Sequence, residues 1–230
     1  MARSVVFDLE TTGLEPERGH KIIEIAAVEL IDDLPTGDVF HTYVDPQRDI
    51  PADATRVHGI TSEMIERFLA LPFSYVADDL LAYFGDSLLI AHNAKFDVGF
   101  LDFELRAARR PDMPGMKSGR IVDTLALANE KLGGGGHTLA ALCRRFGIDD
   151  SGRRKHCALL DCRLLAEVYL QLLGGAQRGL EIPAAPPLPV TIADACHAQR
   201  QPQHWAVPEA DAIAHKSFIT RIGAKLWPTS

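Results

Sequence analysis

Near the start of the chain an uninterrupted apolar run, Val5-Val6-Phe7, leads straight into Asp8-Leu9-Glu10. A short run that is apolar at every position reads as a strand buried on both faces, which belongs in the middle of a sheet. Residues two apart on a strand point to the same face, so Asp8 and Glu10 present two carboxylates side by side. Adjacent like charges at the end of a buried strand are costly unless something neutralises them, and divalent cations are the usual answer. Taken alone, an Asp-x-Glu pair is more simply a solvated strand end. The Thr11-Thr12-Gly13 turn that follows and the rest of the chain argue against that here.

Further strands and helices follow in a definite order. Lys21–Leu30 is rich in β-branched residues and reads as a second strand, and Val39–Val44 alternates and reads as a third, closed by Pro46. Helical patterns follow near 62–69 and 74–84. Leu88-Leu89-Ile90-Ala91 is another buried strand, leading into a helix over 95–109. A short strand at 120–122 precedes helices at 124–131 and 138–146. A last helix, 158–173, places Leu160, Leu164, Leu165, Val168 and Leu172 on one face before Gly174-Gly175 stops it. Three strands in succession, then strands alternating with helices, predict an α/β fold: a mixed sheet flanked by helices.

Composition changes near residue 175. Seven of the 14 prolines fall within 183–230, and the stretch from Pro183 to Pro189 has a linker's composition. The expected organisation is a globular domain over 1–175, a linker over 176–206 and a short docking element over 207–230, the end of the chain forming a flexible C-terminal tail. At 230 residues, 47% of them apolar, the chain can bury one sizeable core plus such an appendage. No apolar run approaches the roughly 18–20 residues needed to span a bilayer, and an acidic residue as early as Asp8 argues against a secretory leader. Four cysteines without a C-x-x-C pair read as reduced thiols in a cytoplasmic protein.

Two further clusters bear on chemistry. His92-Asn93-Ala94-Lys95-Phe96-Asp97 follows the strand 88–91 and puts Asp97 in the first turn of a helix, where the dipole favours a carboxylate. In His156-Cys157-Ala158-Leu159-Leu160-Asp161 the two polar residues are too far around a helix to share a stripe. The sensible arrangement leaves His156 on a loop and Asp161 one turn inside the helix. Each cluster alone has a bland reading, a helix-start acid or a solvated histidine.

Together, Asp-x-Glu, a distant Asp and His-x4-Asp resemble the DEDD exonuclease superfamily in its histidine-bearing branch. The blocks Gly19–Ile25, Val57-His58-Gly59-Ile60, Val122–Leu125, Thr138–Cys143 and 156–169 are similar to those of DNA polymerase III epsilon (proofreading) subunits. That resemblance covers roughly 3–182 and, more weakly, the tail. It implies a ribonuclease H-like fold and hydrolysis of phosphodiesters from a DNA 3′ end. It further implies that Asp8, Glu10, Asp97 and Asp161 hold two Mg2+ or Mn2+ ions, and that His156 takes the proton from the attacking water. The backbone around Thr11 and Thr12 would meet the terminal nucleotide, His58 would help to wall its pocket, and Asp123 would support the site from behind. A net charge of −7 suits such an enzyme only if metal ions or a partner hold it to DNA, since nonspecific affinity comes from Lys and Arg.

Two partners are implied. Gln177, Leu180 and Ile182 resemble a sliding-clamp peptide, and the end of the chain, with Ile213, Phe218, Ile219, Leu226 and Trp227, looks like a tail that docks on a replicative polymerase's catalytic subunit. No membrane contact is expected. The glycine run Gly133–Gly136 lacks the Lys-Ser/Thr of a phosphate loop and reads as a turn, and Arg106, Arg109 and Arg110 read equally well as a DNA path or a solvated helix face. Two other functions stay open: a free-standing exonuclease trimming RNA or oligonucleotide 3′ ends, and a binding subunit that only keeps the fold. The tether argues against the first and the complete set of carboxylates against the second.

Overall fold

A computed structural model describes residues 2–116, 118–153, 155–175 and 208–222. The chain divides into two units, 1–180 and 181–230. Gln177, Leu180, Ile182, the proline-rich stretch, Leu226 and Trp227 lie outside the described residues.

The first unit is built on six strands: β1 (Arg3–Thr11), β2 (Ile22–Ile31), β3 (Leu34–Asp45), β4 (Leu71–Pro72), β5 (Leu88–Ala91) and β6 (Ile121–Asp123). Their order is β4-β3-β2-β1-β5-β6. β1, β2 and β3 are antiparallel, whereas β5 runs parallel to β1 and β6 parallel to β5. The sheet is therefore mixed, as the sequence predicts. Helices α1 (Ala52–His58), α2 (Ser62–Arg67), α3 (Phe73–Phe84), α4 (Ala94–Ala107), α5 (Thr124–Leu132), α6 (Leu139–Phe146) and α7 (Ala158–Leu172) complete the unit.

The alternation of β1 divides the core in two. Val5, Phe7 and Leu9 pack with Phe73, Leu80 and Phe84 of α3 and Phe100, Leu101 and Leu105 of α4. Val6 faces the other way, onto Leu142 and Cys143 of α6 and Cys162, Leu165 and Val168 of α7. Asp8 and Glu10 share the parity of Val6, so they continue the face that α7 covers. Burying a side chain as large as Phe7 contributes about 1.5–3 kcal/mol, which fixes this parity: a slip of one residue would send Phe7 and the two carboxylates to the wrong faces.

Three elements differ from expectation, the first being the unassigned β4, whose two residues are too few to show a period. β3 begins at Leu34 rather than Val39, because Asp32 and Asp33, both at positive φ (51° and 68°), make a two-residue hairpin turn. The first part of β3 is exposed and contains Pro35 and Gly37, so it lacks the alternating pattern that marks a strand. Helix α1 went unassigned, although Pro51 opens it and Gly59, at φ 82°, closes it in the left-handed conformation.

In the second unit the described part is one helix, α8 (Glu209–Ile222), which carries Ile213 and Phe218 exposed. No helix among the described residues is long and apolar enough to cross a membrane.

Candidate active site

The carboxyl ends of the parallel strands β1, β5 and β6 point the same way, and loops and helix starts beyond such ends form the usual crevice of a sheet of this kind. Asp8 and Glu10 lie at the end of β1. Asp97 sits in the first turn of α4, just after β5, and Asp161 in the first turn of α7. His156 stands on the loop before α7, half-exposed, while Asp97 and Asp161 are 3% exposed. The strand, the helix starts and the loop are where the sequence placed them.

Glu10, His156 and Asp161 each offer a ligand atom within 4.8 Å of the others. Asp8 and Asp97 stand outside that trio, yet close enough that their charges act on one another. Burial, then Asp97, Glu10, Asp161 and Glu24 in turn, push the Asp8 carboxyl well above the carboxylate range. Burial and the charges of Glu24 and Asp161 push Glu10 up to about 8. Burial raises Asp97 to about 8 as well, against hydrogen bonds from its own backbone and that of Leu9. Asp161 goes the other way: burial raises it, but hydrogen bonds from His156 and Arg153 outweigh burial and hold it low. Two like charges about 4 Å apart repel by about 4 kcal/mol at an effective dielectric near 20, so so many buried anions demand cations. Closely set oxygen donors with one imidazole suit a small divalent ion such as Mg2+ or Mn2+.

Sequence reasoning missed two members of this site. Glu24 is the cross-strand partner of Glu10 in the β1–β2 register and is 1% exposed. Its carboxylate accepts the N–H of Ala158 at 3.2 Å and lies 2.7 Å from Nε2 of His41. It thereby caps α7 from a neighbouring strand and fixes the turn that carries Asp161. A charge inside Ile22-Ile23-Glu24-Ile25 was the available signal, since a buried strand tolerates an acid only with partners. The other is Arg153, whose Nε and Nη2 donate to the two oxygens of Asp161 at 2.5 and 2.6 Å. Within Arg153-Arg154-Lys155 nothing in the sequence distinguished it.

Thr11, Thr12 and His58 line a cavity of about 590 Å3, together with Glu10 and Phe96. The Thr11 hydroxyl donates to the carbonyl of Gly13 at 2.6 Å, and Thr12 Oγ1 accepts the N–H of Lys21 at 2.9 Å. The His20 ring packs so closely on Gly13 that a Cβ there would lie 2.3 Å from it, so a larger residue would displace the ring. His58 is 7% exposed; its Nδ1 accepts the N–H of Ile60 at 3.0 Å, so Nε2 carries a proton, and that group is buried without a partner among the described residues. Asp123 Oδ1 accepts the N–H groups of Asn93 (3.0 Å) and Leu125 (2.9 Å), tying the turn before Asp97 to the start of α5. Arg106 pairs with Asp112 and Arg110 with Asp78.

The exonuclease family model RNase_T matches residues 5–169. The DNA polymerase III subunit epsilon of Rickettsia conorii is 44% identical over 180 residues, 78% of this chain and 77% of that protein. That of Rickettsia prowazekii is 39% identical over 223 residues, 96% of each. Among solved structures, exonuclease X in complex with 5′ overhanging duplex DNA is similar with a TM-score of 0.56 and 27% identity, over 76% of this chain and 92% of that one.

Proposed function

This chain belongs to the exonuclease family and, within it, to the DNA polymerase III epsilon subunits, and from that premise we propose how its residues perform the reaction. An epsilon subunit is the proofreading 3′→5′ exonuclease of a DNA polymerase complex, hydrolysing phosphodiesters with divalent metal. The observation that carries the residue assignment is the meeting of Glu10, His156 and Asp161, from three separate elements, beside a cavity of nucleotide size.

Asp8, Glu10, Asp97 and Asp161 would hold two Mg2+ or Mn2+ ions. When bound, such a pair supplies charge stabilisation to the attacking and leaving oxygens and lowers the pKa of water. His156, half-exposed on its loop, accepts the proton of the attacking water, the general-base work that imidazoles most often perform in enzymes. The backbone at Thr11 and Thr12 orients the terminal nucleotide. The orphan Nε2–H of His58 donates to it, since a buried donor without a partner costs about 1–3 kcal/mol until a ligand satisfies it. Asp123 and Glu24 keep the starts of α4 and α7 in place.

The enzyme works in the cytoplasm on a single-stranded or frayed DNA 3′ end. The 207–230 tail docks on the polymerase catalytic subunit, which the exposed Ile213 and Phe218 of α8 and the full-length match to the Rickettsia prowazekii subunit support. Tethering raises effective concentration and so compensates for the acidic chain's weak hold on DNA. Gln177, Leu180 and Ile182 touch the sliding clamp.

With Mg2+ and a primer–template bearing a 3′ mispair, the chain is expected to release mononucleotides from the primer's 3′ end. His58→Phe should raise KM in the same assay with less effect on kcat. Intact DNA alongside trimmed RNA would instead establish an RNA-processing exonuclease. Deleting 183–230 should preserve this hydrolysis while abolishing co-purification with the polymerase. Gln177→Ala with Leu180→Ala should weaken clamp binding alone. Persistence of either interaction would remove the corresponding segment's role.

A further inference from the structure

The loop between α6 and α7 is built to place one side chain. Asp149 Oδ1 accepts the N–H of Ser151 at 2.9 Å, and the carbonyl of Asp150 accepts that of Arg153 at 2.8 Å. The N–H of His156 donates to the carbonyl of Val57 at 3.2 Å, and Lys155 lies against Gly59, where a Cβ would come within 2.7 Å of its Cδ. From this loop the Arg153 side chain, 13% exposed, turns inward. Its guanidinium engages both oxygens of Asp161, and Nη2 also lies 3.0 Å from Nδ1 of His156.

A guanidinium has donors and no acceptor. Nδ1 of His156 also stands 3.4 Å from Asp161 Oδ2, so the ring borders both partners of this pair. Asp161, for its part, has both oxygens committed to a planar, bidentate partner. The same cation thus occupies the carboxylate assigned to the metal.

We propose that Arg153 is a positioning residue that latches the metal site: it competes with the divalent cation for Asp161, whose two oxygens it engages. The inference rests on the assignment of Asp161 as a metal ligand. Metal binding releases the latch. The freed guanidinium is left beside a site whose substrate is an anionic phosphodiester. An exonuclease tethered to a polymerase benefits from a site that stays silent until cation and 3′ end arrive.

The test is Mn2+ binding to the full chain without DNA, followed by the electron paramagnetic resonance of free Mn2+. Arg153→Gln should bind Mn2+ about tenfold or more tighter, the fold-change of a lost charge-assisted hydrogen-bond pair. Arg153→Lys, which cannot engage both oxygens in a plane, should fall between. In an Asp161→Asn background Arg153→Gln should no longer tighten Mn2+ binding, a coupling that a merely structural role would not produce. Should Arg153→Gln fail to fold, as its melting curve would reveal, Arg153→Lys carries the same comparison. Equal or weaker Mn2+ binding by the folded variants would overturn the latch and leave the metal site standing. No binding by any of the proteins, wild type included, would overturn the metal assignment and the latch with it.

Discussion

Asp8→Asn combined with Glu10→Gln is expected to abolish 3′→5′ hydrolysis while making the metal-free protein more stable. Both substitutions keep the shape of the side chain and remove its charge. The activity lost should be about a thousandfold or more, equivalent to roughly 4 kcal/mol of transition-state stabilisation. The gain in stability follows from the same geometry. Asp8 is pushed up by burial and by four neighbouring carboxylates, and Glu10 by burial and by Glu24 and Asp161. Without a cation, neutral amides relieve a repulsion that the native residues must bear. A functional site that strains its fold commonly yields on the order of 1–2 kcal/mol when neutralised, which is a rise of roughly 2–8 °C in melting temperature for a domain of this size. Thermal unfolding in chelator at pH about 8 measures it. A variant that is both inactive and less stable would mean that the two side chains hold the fold, and that their charges are not there for a metal.

Stability of the metal-free protein should fall as pH rises through neutrality, the reverse of the usual behaviour of paired carboxylates. Glu10 and Asp97 are pushed up to about 8, from ordinary values of 4.5 and 3.8, and Asp8 is raised too. Between the unfolded and folded values the native state binds more protons than the unfolded chain. The stabilisation is complete below about pH 4, declines across the window and is gone once the folded groups ionise above about 8. Asp161, held low, contributes in the opposite direction but only in acid, below this window. Divalent cation should flatten the slope, because it binds the ionised ligands and so stabilises more as pH rises. Melting temperatures from about pH 5 to about pH 9, with chelator and with Mg2+, compare the two. A metal-free melting temperature that climbed through neutrality would show these carboxylates ionising freely, without need of a counter-ion.

Much of this was legible in the residues. The apolar run before Asp8 set a central strand, parity set two carboxylates on one face, and the spacing from His156 to Asp161 separated loop from helix. Strand β5 and helix α7 lie where their patterns placed them, because each is long or apolar enough to declare its period. The exposed opening of β3 was not legible, since a strand half in solvent and interrupted by Pro35 and Gly37 lacks that period.

What the sequence determined by itself was therefore local: which residues form strand or helix, and which face each polar group takes. Partnership was decided by the tertiary structure. The β1–β2 register alone puts Glu24 across from Glu10, and the loop path alone brings Arg153 onto Asp161 rather than leaving it among its basic neighbours. Periodicity fixes a direction for a side chain, whereas a contact needs two segments brought together by the packing of both cores. That is why the face of each acidic side chain could be read from spacing, and the residues that orient and counterbalance them could not.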